Sequence, residues 1–317
     1  MEDEAGPLAD NPTKRVSKGV EMEETTTDPR RPCLIIRVTA PDEPGLIRRI
    51  TGVLFDNHLN IIENHEAVLA SSRTFFMRTC VEPTLPSTPV FTSSVTASLQ
   101  SLLQSALPSQ AEVAVLLPRR KRIVILASRE YHCLGDLLLR HSFGDLKGDI
   151  LAVISNHRIL EPLCRRFEIP FHYIPTPPEN HLESERRILE ILDSLQPEYL
   201  VLAKYMRVLS KDFVLRYPNR ILNIHHSFLP AFQGARPYHQ AFERGVKVIG
   251  ATAHFVTPSL DEGPIIVQDV IPVERVLDVE EMTRAGREIE RSVLARALRL
   301  VMEDRVFVQG NRTVVFT

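Results

Sequence analysis

The second half of the chain alternates short apolar runs with amphipathic stretches, and this alternation limits the possible folds more than any other feature. The apolar runs have the length of buried strands and lie at residues 123–127, 150–154, 199–203 and 221–224. Residues 159–167 and 182–195 have apolar side chains at helical spacing. The alternation predicts a doubly wound, mostly parallel sheet covered on both faces by helices. Ligands of such sheets bind beyond the carboxyl ends of the strands, here after residues 203, 224 and 255.

The preceding part of the chain has a different element order. Apolar and β-branched residues predict strands at 33–39, 60–69, 74–81 and 111–117, with helices after residue 45 and around residues 95–103. The order βαββαβ is that of a ferredoxin-like domain. Asp42 or Glu43 is expected to cap the first helix, with Pro44 at its first helical position.

The length of 317 residues and these patterns predict three segments. Residues 1–30 hold eight acidic and four basic side chains without hydrophobic periodicity, so the tail 1–31 is expected to be disordered. This tail has neither the apolar segment of a secretory signal nor the acid-poor composition of a transit peptide. The other two segments are a small domain at 32–118 and a larger one at 119–317.

Charge and cysteine content exclude several classes of function. The net charge of −2 provides no general attraction for nucleic acid or for an anionic membrane. No apolar run is long enough to span a bilayer. The four separated cysteines are typical of a reducing compartment, which predicts a cytoplasmic protein. The basic run 119–122 is expected to be a solvated linker rather than a phosphate contact.

The segment after the run 221–224 contains the strongest candidate for a catalytic site. Asn223 and His225 alternate along a strand and therefore project to the same side. Asp261 follows in a turn between two apolar runs. An amide, an imidazole and a carboxylate on converging loops fit acyl transfer, because amide and imidazole stabilise an oxyanion while the carboxylate orients the imidazole. From spacing alone, the same residues could also serve only to hydrogen-bond a loop.

Two groups of motifs carry a resemblance to a known family. Residues 39–46, Thr-Ala-Pro-Asp-Glu-Pro-Gly-Leu, resemble the signature of ACT domains, small regulatory modules that often bind amino acids. The segments 223–230 and 260–264 resemble the signature of the formyltransferase fold. Across roughly residues 33–317 the chain resembles the formyltetrahydrofolate deformylases, with matching stretches at 132–138, 153–157, 235–241 and 250–254.

This resemblance implies a function and residues that carry it. It implies hydrolysis of 10-formyltetrahydrofolate to tetrahydrofolate and formate, which balances the one-carbon folate pool and links it to purine synthesis. The implied catalytic residues are Asn223, His225 and Asp261. The implied folate-binding residues are Met206, Arg207, Val208, Leu209, Leu260, Glu262 and Gly263.

The resemblance also implies regulation by the small domain. The implied effector loop contains Asp42, Pro44 and Gly45. Methionine and glycine are the expected effectors, acting in opposite directions, and the family implies a homo-oligomer that pairs through the strand near residues 61–66. The substrate is a small folate, and neither a cofactor nor a metal is expected, since no HxxxH or HExxH motif occurs.

Two alternative functions stay open at this stage. One is formyl transfer to a small amine, and the other is an amino-acid or folate sensor without catalysis. The glycinamide ribonucleotide formyltransferases have a glycine-rich, phosphate-binding loop after the first strand, whereas residues 128–135 of this chain retain only Gly135. The absence of this glycine-rich loop favours water, and not an amine, as the acceptor of the formyl group. His226, His254 and Cys133 are each expected to have structural roles.

Overall fold

The computed structural model describes residues 33–84, 92–177, 180–230, 237–273 and 278–317. The predicted tail, most of the loop at 83–92 and the first residues of the 235–241 motif lie outside these ranges. In the part of the chain that is described, no helix is both long and apolar enough to cross a membrane.

The first sheet is antiparallel and carries two helices. Its elements are β1 (Leu34–Pro41), α1 (Leu46–Asp56), β2 (Leu59–Leu69), β3 (Thr74–Pro83), α2 (Ser93–Ala106) and β4 (Glu112–Leu116). The strand order is β2-β3-β1-β4, which is the ferredoxin-like arrangement expected from the sequence. Leu46, Ile50 and Leu54 form the buried face of α1, as their helical spacing predicts.

The start of α1 differs from the expected cap. Asp42, Glu43 and Pro44 precede the helix, and no side chain caps it. Gly45 occupies the cap position with a φ of 91°, a left-handed conformation that favours glycine. The prediction failed because the backbone turns at Gly45 before the helix begins, so the acids and the proline lie outside the first turn.

The second sheet has seven strands among the described residues. They are β5 (Lys121–Ala127), β6 (Gly148–Ser155), β7 (Phe171–Tyr173), β8 (Tyr199–Ala203), β9 (Ile221–His225), β10 (Val248–Phe255) and β11 (Ile265–Pro272). Their order is β11-β10-β9-β8-β5-β6-β7, and the pairs within β5–β9 are parallel. The predicted mostly parallel sheet is therefore confirmed.

Helices cover both faces of this sheet. They are α3 (His132–Ser142), α4 (Glu161–Arg166), α5 (His181–Leu195), α6 (Lys211–Leu215), α7 (Pro237–Glu243) and α8 (Val279–Met302), with a 3₁₀ turn at Arg158–Leu160. Within β5, Ile123 and Ile125 pack into the core that includes residues of α3 and α8. Val124 and Leu126 pack into the opposite core, which includes residues of α5 and α6. This alternation explains why β5 is apolar throughout.

The direction of β10 corrects one expectation. Strand β10 runs antiparallel to β9, with Phe255 opposite Leu222. Its carboxyl end therefore lies at the opposite edge from the carboxyl ends of the parallel strands, and the rule used for residues 203 and 224 does not apply after residue 255. The turn between β10 and β11 nevertheless returns Asp261 to His225, as described below.

The basic run after residue 118 is exposed at its three arginines, as expected of a solvated linker, but its side chains also form ion pairs. The Arg119 side chain lies 2.6 Å from Glu198, and Arg120 lies 2.5 Å from Asp149. Lys121 is buried and lies 2.5 Å from Asp304. The expectation missed these acids because they come from distant parts of the chain.

A C-terminal hairpin packs against both sheets. It consists of β12 (Val306–Gln309) and β13 (Arg312–Val315). Phe307 and Phe316 pack on Phe76 of β3, and the Arg37 guanidinium lies 4.2 Å from the centre of the Phe307 ring. Thr313 Oγ1 donates to the carbonyl of Ile265 at 2.5 Å. The hairpin therefore connects the first sheet to the strand that follows the Asp261 turn.

Candidate active site

The carboxyl end of β9 brings together the three predicted catalytic residues. His225 is 5 % exposed, and its Nδ1 lies 3.3 Å from Oδ1 of Asp261. This contact with His225 lowers the pKa of Asp261 below its ordinary value, despite the opposing effect of partial burial. Nε2 of His225 is buried and has no hydrogen-bond partner among the described residues. The imidazole is thus oriented through one nitrogen while the other remains able to bind a reacting atom.

The turn that carries Asp261 is tightly constrained. Asp261 has a φ of 56°, a left-handed conformation that Asp tolerates better than most residues. At Gly263, a Cβ atom would lie 1.8 Å from the carbonyl oxygen of Phe255, so only glycine fits beside the β10 backbone. The loop between β10 and β11 can therefore fold back over β9 and reach His225.

Asn223 is held by a second histidine. Its Nδ2 lies 3.2 Å from Nε2 of His254, which is its direct partner on β10. Nδ1 of His254 donates to the carbonyl of Phe255 at 2.9 Å, so Nε2 accepts from the amide. Burial lowers the pKa of His254 and favours this neutral form. His254 is buried and hydrogen-bonded, as expected, but one of its partners is a candidate catalytic residue.

His226 lies closer to the site than expected. Its ring stacks on that of His225, with centroids 4.9 Å apart and an angle of 22° between the ring planes. Strand alternation predicts opposite directions for neighbouring side chains, but β9 ends at His225 and the rule does not extend to His226. Burial, together with the charge of Lys204, lowers the pKa of His226 to about 4, so its ring is neutral near pH 7.

The predicted folate-binding residues lie in two loops beside this site. Residues 206–209 follow β8, and the pairing of Leu202 with Asn223 places the end of β8 next to that of β9. Met206 and Val208 are exposed, whereas Leu209 packs against the core. Exposed apolar side chains next to a buried polar site are suitable contacts for a flat aromatic ligand.

The second of these loops lines a cavity of about 550 Å³. Asp261, Glu262 and Gly263 lie along it, together with Leu229 and other residues of the neighbouring loop and hairpin. Leu260 is exposed beside them. A cavity next to the candidate catalytic carboxylate is where a substrate would be expected to bind.

The predicted effector residues line another cavity. Asp42 and Gly45 lie along a cleft of about 410 Å³ at the start of α1, together with Glu66 and Phe75. Pro44 is next to this cleft in sequence. The effector-loop cavity thus combines carboxylates with apolar side chains.

Sequence reasoning missed a buried cluster near the site. Glu290 is fully buried in α8 and accepts hydrogen bonds from His132, Lys204 and Tyr238. A signal was present, because Glu290 interrupts the apolar face of α8 next to Ile289 and Val293. Ligand atoms of His132, Cys133 and Glu290 lie within 4.8 Å of one another, a spacing that a metal could bridge. Burial raises the pKa of the Cys133 thiol, however, and Glu290 is already the acceptor of a hydrogen-bonded network with His132, Lys204 and Tyr238.

Comparison with known proteins identifies the class and then the particular family. Residues 121–298 match the family model described as formyl transferase, and the chain therefore belongs to the formyl transferases. It is 51% identical over 282 residues to the formyltetrahydrofolate deformylase of Escherichia coli O6:H1, covering 89% of this chain and 97% of that protein. Identity to the deformylase of Bacillus subtilis is 43%, covering 88% of this chain and 92% of that protein. The chain belongs to the formyltetrahydrofolate deformylase family.

Solved structures support the same assignment. The crystal structure of a formyltetrahydrofolate deformylase from Pseudomonas syringae has a TM-score of 0.84 at 38% identity, covering 90% of this chain and 95% of that one. Glycinamide ribonucleotide transformylase 1 from Symbiobacterium toebii has a TM-score of 0.59 at 33% identity, covering 62% of this chain and 95% of that chain. The deformylase therefore matches far more of this chain than the transformylase does.

Proposed function

We propose that this protein is a hydrolase that converts 10-formyltetrahydrofolate to tetrahydrofolate and formate. The observation that carries the proposal is the buried His225–Asp261 pair beside Asn223, in a chain from the deformylase family. The reaction breaks the bond between the formyl carbon and N10 of the folate. Its products would supply formate and free tetrahydrofolate to one-carbon metabolism, including purine synthesis.

The three residues have complementary roles in this proposal. A water oxygen attacks the formyl carbon, and the carbonyl oxygen becomes an oxyanion. Asn223 and the protonated ring of His225 donate hydrogen bonds to it. Asp261 stabilises the charge on His225 and accepts a proton from the attacking water. The carbon–N10 bond then breaks, a proton passes to N10, and formate is released.

The loop after β5 supports water as the acceptor of the formyl group. The buried side chains of His132 and Cys133 occupy the start of α3, where the sequence lacks the glycines of a phosphate-binding loop. Bulky side chains prevent the backbone N–H groups from surrounding a phosphate. An amine acceptor that carries a phosphate would therefore lack its binding loop. We also propose that no metal or cofactor takes part, because a formyl group on a weakly basic aryl nitrogen is already activated.

Formate release distinguishes hydrolysis from its alternatives. We expect the purified protein to release formate from 10-formyltetrahydrofolate at the same rate with and without glycinamide ribonucleotide. The measurement is a coupled formate assay alongside the absorbance change of the folate. Turnover only in the presence of the amine would establish a formyltransferase. Folate binding without turnover would establish a sensor.

We further propose that residues 32–118 form a regulatory domain and residues 119–317 the catalytic domain. The effector-loop cavity supports this division, because its carboxylates Asp42 and Glu66 can meet the ammonium group of an amino acid while Leu46 and Phe75 contact its side chain. Strand β2 is at one edge of the first sheet and exposes Ile62, which suits pairing with a second copy of the chain. We propose methionine and glycine as effectors, a homo-oligomer as the working form and the cytoplasm as its location.

Filling the effector-loop cavity should abolish regulation and leave hydrolysis intact. Val68→Trp on β2 places a large side chain in the cavity without changing the backbone, whereas Gly45→Val also strains a residue with positive φ. An effector that binds one state of the protein ten times more tightly than the other shifts the equilibrium between the two states by about 1.4 kcal/mol. The measurement is formate release during methionine and glycine titrations. A wild type that responds to neither, or a Val68→Trp variant that responds fully, would leave the first domain with a role in assembly only.

A further inference from the structure

Glu290 is the centre of a buried polar network with His132, Lys204 and Tyr238. It is 0 % exposed, and its carboxylate accepts from His132 Nε2 at 2.6 Å, Lys204 Nζ at 3.1 Å and the Tyr238 hydroxyl at 2.5 Å. Burial alone would raise the pKa of Glu290, but the bond from His132 and the charge of Lys204 outweigh it and lower the pKa to about 2. The network thus contains a permanent negative charge at neutral pH.

The Tyr238 side chain can reach Glu290 because a glycine on α8 leaves room for its ring. It lies on α7 and is 9 % exposed. A Cβ atom on Gly286 of α8 would lie 2.2 Å from the Tyr238 ring, so the glycine allows the ring to pack directly on the helix. Gly286 is one helical turn before Glu290. The helix therefore provides both the surface that supports the Tyr238 ring and the acceptor that binds its hydroxyl group.

Tyr238 contacts the catalytic pair through His226. The rings of Tyr238 and His226 have centroids 6.3 Å apart, and the His226 ring stacks on His225 at 4.9 Å. Nδ1 of the same His225 ring lies 3.3 Å from Oδ1 of Asp261. A continuous series of packed rings thus connects the Glu290 carboxylate to the imidazole that Asp261 orients.

We propose that Glu290 is a positioning residue for hydrolysis: through Tyr238 and His226 it holds the His225 ring against Asp261. This proposal rests on the catalytic role assigned to His225 above. Lys204 follows β8 directly and binds the same carboxylate, so the network also fixes the start of the loop that contains the predicted folate-binding residues. Glu290 itself reaches the reaction only through these other side chains.

The neutral state of His226 is consistent with this role. The groups that face it are Lys204, His225, Glu290, Asp261 and Tyr238, from five different parts of the chain. A neutral His226 ring stacks on His225 without adding a further positive charge beside it.

Tyr238→Phe tests the proposal with the smallest change. It removes one hydroxyl and keeps the ring that Gly286 accommodates. We expect kcat to fall about tenfold while KM for 10-formyltetrahydrofolate changes by less than about twofold, because a displaced hydrogen-bond donor to the oxyanion weakens the transition state more than substrate binding. Glu290→Gln should lower kcat at least as much, if it folds. Glu288→Gln, an exposed position on the same helix, is the matched control and should be unchanged.

A double-mutant cycle shows whether Tyr238 acts through His225. In a His225→Ala background, Tyr238→Phe should cause no further loss of kcat, because the ring that it positions is absent. Nitrogen NMR of the His225 ring, assigned by its disappearance in His225→Ala, should change in Tyr238→Phe and stay constant in Glu288→Gln. Full wild-type kcat in Tyr238→Phe, an additive loss in the double variant, or an unchanged His225 signal would each overturn the proposal. A wild type that releases no formate would instead contradict the proposed function, and the NMR comparison would still test the positioning of His225.

Discussion

His225→Ala is expected to lower kcat by ~10²–10³-fold or more, with a much smaller change in KM. Asp261 contacts Nδ1 of the His225 ring. The buried Nε2 of the same ring has no hydrogen-bond partner among the described residues. Its removal takes away a hydrogen-bond donor that acts on the developing oxyanion, a charge that is present only in the transition state. Single-turnover formate release separates this chemical step from product release.

Asn223→Ala should have an effect of similar size, because its amide is the proposed second donor to the same oxygen. His226→Ala provides the comparison, since His226 acts only by positioning the His225 ring and its loss should lower kcat less than either substitution. If His226→Ala lowers kcat more than His225→Ala, the assignment of the two neighbouring imidazoles is wrong. Circular dichroism and thermal melting of each variant show whether the fold is kept.

Asp261→Asn is expected to lower kcat by about 10²–10⁴-fold while binding of the folate survives. The substitution keeps the shape of the side chain and its left-handed backbone but removes the charge that stabilises a protonated His225. Because contact with His225 lowers the pKa of Asp261, its carboxylate is ionised throughout the neutral range. Titration of Asp261 itself should therefore contribute no pH dependence to the wild-type kcat between pH 6 and pH 8.

The measurements for Asp261 are kcat by formate release and the dissociation constant of a non-hydrolysable folate. Glu262→Gln is the comparison for kcat alone, because it removes a neighbouring carboxylate from the same turn and cavity, whereas its folate affinity is expected to change since Glu262 is a predicted folate-binding residue. A kcat near the wild-type value in Asp261→Asn would assign Asp261 to turn geometry alone. Equal losses of kcat in Asp261→Asn and Glu262→Gln would indicate that kcat depends on the total negative charge of the turn and not on Asp261 in particular.

The fold was predictable because its periodicities are local. The apolar runs of β5 and β8, and the helical spacing of Leu46, Ile50 and Leu54, each follow from a few neighbouring residues. The pairing of Asn223 and His225 on one face is likewise a property of a single strand. Such features need no knowledge of distant contacts.

The remaining features depend on contacts between distant parts of the chain. The antiparallel direction of β10 depends on its pairing with β9, and the stacking of His226 depends on where β9 ends. Glu290 interrupts an apolar helix face, but the groups that it binds are 52 to 158 residues away in sequence, so its partners could not be inferred from its neighbours. The ion pairs of the basic run were missed for the same reason, whereas the cap of α1 was missed because of the local turn at Gly45.

The most direct test of the account is the origin of the oxygen in the product. Wild-type protein is given 10-formyltetrahydrofolate in water enriched with oxygen-18, without any amine, and the formate is analysed by mass spectrometry. The account predicts formate that carries one solvent oxygen in every turnover, at a rate that glycinamide ribonucleotide does not change. Formate without solvent oxygen, or a formyl group that leaves the folate only when the amine is present, would contradict it.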